Sequence, residues 1–363
     1  MEKINWWSTY FGEEEIDEIA DSIRNKKISQ GTVTKEFEEK FAEMLNVPYA
    51  IAVPSGTAAL NLALMASGIT AGDEVLVPDY TAIGTAHAVN ILGAKAKFVD
   101  IKDTSYPVID ENKIEEKISN KTKVILPVHY NGIACNMKVI KQIALKYDLH
   151  VIEDAAQAMF SKNGNEFLGN DSIAGCFSFS VAKIISTGQG GMIITKDKSF
   201  YDTMVAKRNQ EKGYFDIPSF NYKFTDILSS IGLIQLTRVG ERIEKLRKIY
   251  NMYVEGTEHL EKVNMLKMNI ENGELPLWAL AQCEQRDKLN QFLNEKNIYP
   301  DPFHKPLHTA GYFGSDGTFP NSDKFAENGL RLPCGPTQPL SNIEYVIDAL
   351  HEFEKTKIGR AHV

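Results

Sequence analysis

The chain has 363 residues, 43% of them hydrophobic and 24% charged, which is the balance of a compact globular protein and not of a disordered or fibrous one. Its 48 acidic side chains outnumber 40 Lys and Arg, for a net charge of -8, a field that disfavours nucleic acid and anionic membrane surfaces as partners. No apolar run reaches the ~20 residues of a membrane span, the opening MEKINWWSTYFGEEE lacks the apolar centre of a secretory signal, and Cys135, Cys176, Cys283 and Cys334 form no CxxC pair, so a cytoplasmic protein with reduced thiols and no metal site is expected.

Length predicts two units, a large α/β domain over residues 1–250 that includes an N-terminal arm, and a smaller α+β domain over 251–363. From about residue 48 to 200, short apolar runs alternate with helical patterns, the rhythm of βα units that build a mostly parallel sheet. The predicted strands are YAIAVP, EVLVPD, AKFVDI, KVILPV, HVIEDA, GCFSFS and GMIIT, with helices beginning near Thr57, Ala82, Asp110, Met137 and Lys198. Several strands are continuously apolar, as when helices cover both faces of a sheet. Residues 225–252 carry one long helical pattern that connects this sheet to the C-terminal domain. Beyond it LPLWALAQC reads as a strand, QRDKLNQFLNEKN and SNIEYVIDALHEFEK as helices, and 299–320, rich in Pro, Gly, His and aromatics, as an ordered loop. The closing KIGRAHV has no periodicity and carries no functional reading.

Two segments carry the chemistry, VIEDAAQA at 151–158 and FSFSVAKIISTGQGGMIIT at 177–195. Asp154 falls where an apolar strand ends, the edge at which ligands of open α/β sheets gather, and Lys183 follows a Ser-bearing strand ahead of a Gly-rich turn. An acid and an amine on successive strand ends are what pyridoxal phosphate (PLP) chemistry requires, a Lys to bond the cofactor and move the proton and a carboxylate to hold the proton on the ring nitrogen. Taken singly, Asp154 also reads as a turn cap and Lys183 as a solvated surface Lys. A third segment, VPSGTAALNLALMASG, turns at Ser55 and Gly56 and starts a helix at Thr57, which reads either as a phosphate site on the helix N-terminus or as an ordinary cap.

In combination and in order, VPSGTAAL, GDEVLVPDYTAIGTAHAV, GAKAKFVDI, PVHYNG, VIEDAAQA, FSFSVAKIISTGQGGM and FNYKFTDILSSIGLIQL resemble the successive signatures of the DegT/DnrJ/EryC1/StrS sugar aminotransferases, over about residues 9–355. The resemblance implies a fold type I PLP-dependent transferase, a mostly parallel sheet sandwiched by helices with a smaller C-terminal α+β domain, working as a homodimer with shared active sites. It implies that Lys183 and Asp154 are catalytic and that Gln157 lies near the cofactor ring. It further implies that Ser55, Gly56, Thr57 and Ser178 hold the phosphate, and that Asn221 reaches the phosphate of the neighbouring subunit. His308 and His304 match a loop that approaches the sugar, with His308 the first choice. His129 reads equally as a structural or a functional His.

The chain departs from the family at two places: PDYTA puts Ala82 where relatives stack an aromatic ring on the cofactor, leaving Tyr80 as a candidate replacement at the substrate side, and PVHYNG puts Asn131 where relatives have Tyr. A side branch of the family has His in place of the Lys and dehydrates its substrate; Lys183 points away from that branch. KIISTGQGGM and YFDIPSFNYKFTD are most similar to the 4-keto sugar enzymes of the perosamine synthase type. The expected reaction is therefore amino transfer from an amino acid, L-glutamate first, to a nucleotide-linked 4-keto-6-deoxy sugar, in surface polysaccharide or lipopolysaccharide biosynthesis. Amination at C3 and a silent PLP-binding regulator of the same fold are the alternatives.

Overall fold

In the computed structural model, residues 2–210, 219–314 and 317–356 are described. The KIGRAHV tail and the front of the YFDIPSFNYKFTD segment lie outside them. All seven predicted strands form, and they join one sheet. They are β1 (Tyr49–Val53), β2 (Glu74–Pro78), β3 (Lys95–Val99), β4 (Thr122–Ile125), β5 (His150–Asp154), β6 (Ala174–Ser178) and β7 (Gly191–Thr195), in the spatial order β1-β7-β6-β5-β4-β2-β3. Only β7 runs against its neighbours, pairing antiparallel with β1 and β6.

The unbroken apolar runs are explained by two cores, one on each face. Along β1, Ile51 and Val53 enter one core while Ala50 and Ala52 enter the other, and β7 divides Ile193 from Met192 and Ile194 in the same way. Helices α3 (Gly56–Ala66), α4 (Ile83–Asn90) and α6 (Lys198–Asn209) cover the first face; α2 (Thr32–Met44) and α5 (Met137–Tyr147) cover the second. Before α2, α1 (Glu13–Arg24) packs on a helix of the second half, α7 (Asp226–Thr237).

Two expectations need correction. The helix expected near Asp110 is a pair of single 3-10 turns, Glu111–Lys113 and Glu115–Lys117. Asp110 caps the first by accepting the Asn112 N–H at 3.1 Å, and Ile118 is already extended, so there is no room for a longer helix. The single helix over 225–252 is two: α7 stops at Arg238 (φ -97, ψ 2) and α8 (Val239–Thr257) restarts beyond it. Arg238 is held there by Glu14 at 2.5 Å and Glu15 at 2.7 Å, both on α1, which ties the break to tertiary packing.

After α8 comes a four-stranded antiparallel sheet of β8 (Asn264–Met265), β9 (Ala279–Gln282), β10 (Asp301–Pro302) and β11 (Gly329–Leu332), ordered β8-β9-β11-β10. Helix α9 (Arg286–Glu295) packs beside it, and α11 (Leu340–Lys355) packs on α8 and α9. β8, β10, β11 and α10 (Pro320–Asn328), along with α1 and α2, were not expected from the sequence. All four cysteines are buried and free. Among the described residues no helix is long and apolar enough to cross a membrane.

Candidate active site

β5 ends on Asp154 and its parallel neighbour β6 ends on Ser178, so the two ends share the carboxyl edge of the sheet. Asp154 is buried, 3% exposed. One of its oxygens accepts the Thr85 hydroxyl at 2.8 Å and the other accepts the Ala156 N–H at 3.0 Å. Burial pushes its pKa above the ordinary value, while the Ala156 N–H, the Thr85 hydroxyl and the Lys183 charge oppose that rise. A carboxylate under that tension has most to gain from a proton-bearing partner.

Lys183 sits on the loop between β6 and β7, and that loop is pinned through its carbonyls. Val181 accepts from the Trp7 indole at 2.9 Å, Ala182 from the Trp278 indole at 3.2 Å, and Ile184 from the Arg242 guanidinium at 2.7 Å. The Lys183 Nζ stands 5.0 Å from the centre of the Trp278 ring. Burial lowers its pKa most, Asp154 opposes, and the positive Arg331 adds to the lowering, which leaves the amine at about 8 instead of 10.5. Because only the neutral amine attacks an aldehyde, capture of PLP by the cofactor-free protein should quicken about fivefold between pH 7 and pH 8 and level off above pH 9. Stopped-flow absorbance measures it; a rate still climbing steeply at pH 10 would mean that the amine titrates as an ordinary Lys.

The SGT turn builds the opposite end of the site. Ser55 caps α3 by accepting the Ala58 N–H at 3.1 Å, which leaves the N–H groups of the first turn pointing outward at the positive end of the helix. Both glycines here answer to close approach. A Cβ on Gly56 would come within 2.9 Å of the Ser178 Cβ, and one on Gly191 within 2.4 Å of the Ser55 carbonyl oxygen. The SGT turn is thus pressed against β6 and β7, with Gly56 facing the Ser178 side chain. Thr57 is exposed, and its hydroxyl lies beside Gly84 at the start of α4.

The other predicted residues divide. Gln157 is buried and accepts the Asn131 N–H at 2.9 Å. Tyr80 is fully buried and stacks on His304 with ring centres 4.7 Å apart, whereas Ala82 is exposed at the cap of α4. His308 is clamped: its backbone N–H and Nδ1 meet Asp79 at 2.9 and 2.7 Å, and Nε2 faces Asp323 at 3.4 Å. His129 is buried between the Cys135 N–H, which donates to Nδ1 at 3.1 Å, and Glu153, which lies 2.8 Å from Nε2. A ring nitrogen that accepts a backbone N–H carries no proton, so the Nε2 proton goes to Glu153 and His129 acts as a structural link. Asn221 is exposed, in the segment before α7.

Asn131 has a physical reason to be there. It takes the left-handed conformation, φ 55, which Asn tolerates well, and its side-chain amide pairs with both backbone groups of Trp278, accepting at 2.8 Å and donating at 3.1 Å. It therefore fastens the start of β9 to the edge of the main sheet. Thr85, Tyr130, Trp278 and Arg331 were not singled out in the sequence. Thr85 had a signal, being one helical turn beyond Thr81 on the helix that opens beside the site; the other three had none.

The donor set fits PLP: a helix N-terminus at Gly56 and Thr57 pressed against Ser178 could take the phosphate, the buried Asp154 carboxylate could take the ring nitrogen, and Lys183 is an amine of lowered pKa that feels the Asp154 charge. The sequence profile described as the DegT/DnrJ/EryC1/StrS aminotransferase family matches residues 9–351. The chain is 34% identical over 336 residues to GDP-perosamine synthase of Escherichia coli O157:H7, covering 91% of this chain and 92% of that one. Its fold matches that of S. venezuelae DesV with a TM-score of 0.93 at 25% identity, over 99% of this chain and 100% of that one. It also matches the PLP form of Spr1654 from Streptococcus pneumoniae, with a TM-score of 0.89 at 25% identity, over 97% and 99% of the two chains.

Proposed function

Since the chain belongs to the DegT/DnrJ/EryC1/StrS aminotransferase family, we propose that it moves an amino group from an amino acid, L-glutamate first, to C4 of a nucleotide-linked 4-keto-6-deoxy sugar, with PLP as cofactor. The observation that carries this reading is the convergence of the Lys183 amine, the buried Asp154 carboxylate and the Gly56–Ser178 cradle on one edge of the sheet. The likeness to a perosamine synthase supports the choice of a 4-keto sugar.

PLP, when bound, supplies an electron sink for the carbon that loses its proton. The chain's own residues supply the rest. Asp154, kept in place by Thr85 and the Ala156 N–H, would hold the proton on the ring nitrogen. Lys183 would hold the cofactor through its amine and would take and return the substrate's proton, and a pKa of about 8 suits both near neutral pH. Ser55 orders the turn, Gly56, Thr57 and Ser178 would hold the phosphate, and Gln157 would lie on the ring's side of the site. Tyr80 and His304 face the substrate as one stacked pair, and His308 fixes the loop that carries His304 through Asp79.

We further propose a homodimer in which Asn221 completes the neighbour's phosphate site, a cytoplasmic location, and a role in supplying amino sugar for surface polysaccharide such as lipopolysaccharide. The proposal extends to a division into two domains near residue 250, with α8 as the connector that spans it.

The test is a two-stage cycle. Holoenzyme mixed with L-glutamate should lose its cofactor absorbance, and adding a GDP-, UDP- or dTDP-linked 4-keto-6-deoxy sugar should restore it with formation of a C4 amine visible by NMR. A protein that bleaches with glutamate but recovers with none of these, or that delivers the amine to C3, would refute the assignment.

A further inference from the structure

All three tryptophans of the chain stand in one cluster beside Lys183, although two of them lie at its start and the third far along it. Between ring centres, Trp6 is 6.1 Å from Trp7 and meets Trp278 edge-on at 6.3 Å, and Trp278 carries the Lys183 Nζ at 5.0 Å. Trp6 and Trp7 belong to an arm that is stitched to the second half of the chain. Ile4 and Asn5 pair in parallel with Ile298 and Tyr299, the Cys334 N–H donates to the Trp6 carbonyl at 2.8 Å, and the Ser8 N–H donates to the Cys334 carbonyl at 3.0 Å. From this arm the Trp7 indole reaches the loop between β6 and β7 and donates to the Val181 carbonyl at 2.9 Å, two residues ahead of Lys183.

We infer that Trp7 is a positioning residue for Lys183: its indole N–H holds the turn that aims the amine, and so makes the placement of the amine depend on the docking of the N-terminal arm. The inference rests on the aminotransferase reading above in taking Lys183 as the reacting amine. Core packing does not hold the turn at this point, since Val181 is 50% exposed; hydrogen bonds to its backbone do. An indole has one donor and no acceptor, so each tryptophan fixes one carbonyl, Trp7 that of Val181 and Trp278 that of Ala182. The Ala182 carbonyl shares its peptide plane with the Lys183 N–H, and the Val181 carbonyl lies in the plane before it. Peptide units are planar, so two anchored carbonyls set the direction in which the Lys183 side chain leaves the backbone. So directed, the amine lies over Trp278, with the Asp154 carboxylate and the Arg331 guanidinium as the charges that act on it. Without the Trp7 bond the turn is free to rotate and the amine swings towards water, where the ammonium form is favoured.

The test reads the amine directly. Full-length protein freed of cofactor is labelled with acetic anhydride across a pH series, and Lys183 acetylation is followed by mass spectrometry; PLP capture is followed in parallel by stopped-flow absorbance. Trp7→Phe keeps a ring in place and deletes the N–H. It should raise the midpoint of Lys183 labelling from about 8 to about 9, which leaves roughly a tenth of the neutral amine at pH 7 and slows capture about tenfold there. At pH 11, where the amine is neutral in both proteins, capture should run within about twofold of wild type. A merely structural tie has a different signature, a lower melting temperature with an unmoved midpoint and the same slowing at every pH. Trp6→Phe is the control, since Trp6 packs in the same cluster without an indole bond to the loop among the described residues; its labelling midpoint should stay at that of wild type. If Trp7→Phe fails to fold, the wild type still decides. With isotopically labelled indole nitrogens it shows three indole NMR signals, and the Trp7 signal, assigned by the loss of the others in Trp6→Phe and Trp278→Phe, should shift with the midpoint of Lys183 labelling. The inference is overturned by an unmoved midpoint in Trp7→Phe, by an equal shift in Trp6→Phe, or by a Trp7 signal that does not follow the Lys183 titration. Labelling needs no cofactor, so these results are distinct from failure of the aminotransferase reading, which would show as PLP captured by wild type at a residue other than Lys183.

Discussion

Lys183→Ala is expected to lower transamination by roughly a thousandfold or more, because it removes both the covalent anchor of the cofactor and the group that moves the proton. The protein should stay folded. The loop that carries Lys183 is held by hydrogen bonds to its backbone carbonyls, which the substitution leaves in place. The buried charge also acts on stability, with a definite sign. Lys183 has its pKa lowered to about 8 in the folded chain from 10.5, so the ammonium is disfavoured by folding, and its penalty is present below pH 8 and vanishes as pH rises past 10.5. The cofactor-free variant should therefore melt no lower than wild type at pH 7, with any gain fading towards pH 10. Differential scanning calorimetry across that range checks it; near-normal turnover would remove Lys183 from the mechanism. The same variant tests the shared site. Mixed with Asn221→Ala chains, it should recover activity towards half of wild type if Asn221 acts across the interface, since one site of each mixed dimer is then intact. Lack of recovery after confirmed subunit exchange would place Asn221 in its own chain's site.

Asp154→Asn should reduce transamination roughly a hundredfold or more while cofactor content, read from absorbance, falls much less. Asn keeps the shape and can still pair with Thr85, but it carries no negative charge to hold the ring proton. Thr85→Val removes only the hydrogen bond that steadies the carboxylate, so it should cost about tenfold. The ordering matters more than either figure. If Thr85→Val harmed the enzyme as much as Asp154→Asn, position and not charge would be the contribution of Asp154; an unimpaired Asp154→Asn would dispose of the electron-sink argument altogether.

The sheet and the amine–carboxylate pair were legible because a parallel sheet writes its strand ends in chain order. Asp154 ends β5 and Lys183 follows β6, its parallel neighbour, so the pairing of those strands brings the two to one edge. Tyr130, Trp278 and Arg331 were not legible for the opposite reason. Tyr130 reads as one more aromatic after a strand, while Arg331 belongs to the second sheet and Trp278, just ahead of β9, is fastened by Asn131 where its ring meets Lys183. Nothing local to LPLWALAQC or GLRLPCG announces that contact. His308 shows a subtler limit. Its loop and proximity to the substrate side could be anticipated, but not that Asp79 and Asp323 would take up both ring nitrogens. The break at Arg238 was invisible too, since the periodicity of α7 continues into α8 and the acids that hold the break, Glu14 and Glu15, come more than 220 positions earlier.

The three pins on the Lys183 loop also bear on the order in which the molecule assembles. Their partners are 174, 96 and 58 positions away, in the N-terminal segment, beside β9 and in α8 respectively. Contacts of such separation close late, because each must first overcome the entropy of a long loop. The reactive amine is therefore set in place only when the first residues, the main sheet and the second sheet have all arrived. A nascent or damaged chain missing any one of them would leave the Lys183 loop without a pin, and on the reading proposed above it is expected to capture PLP slowly and lose it easily.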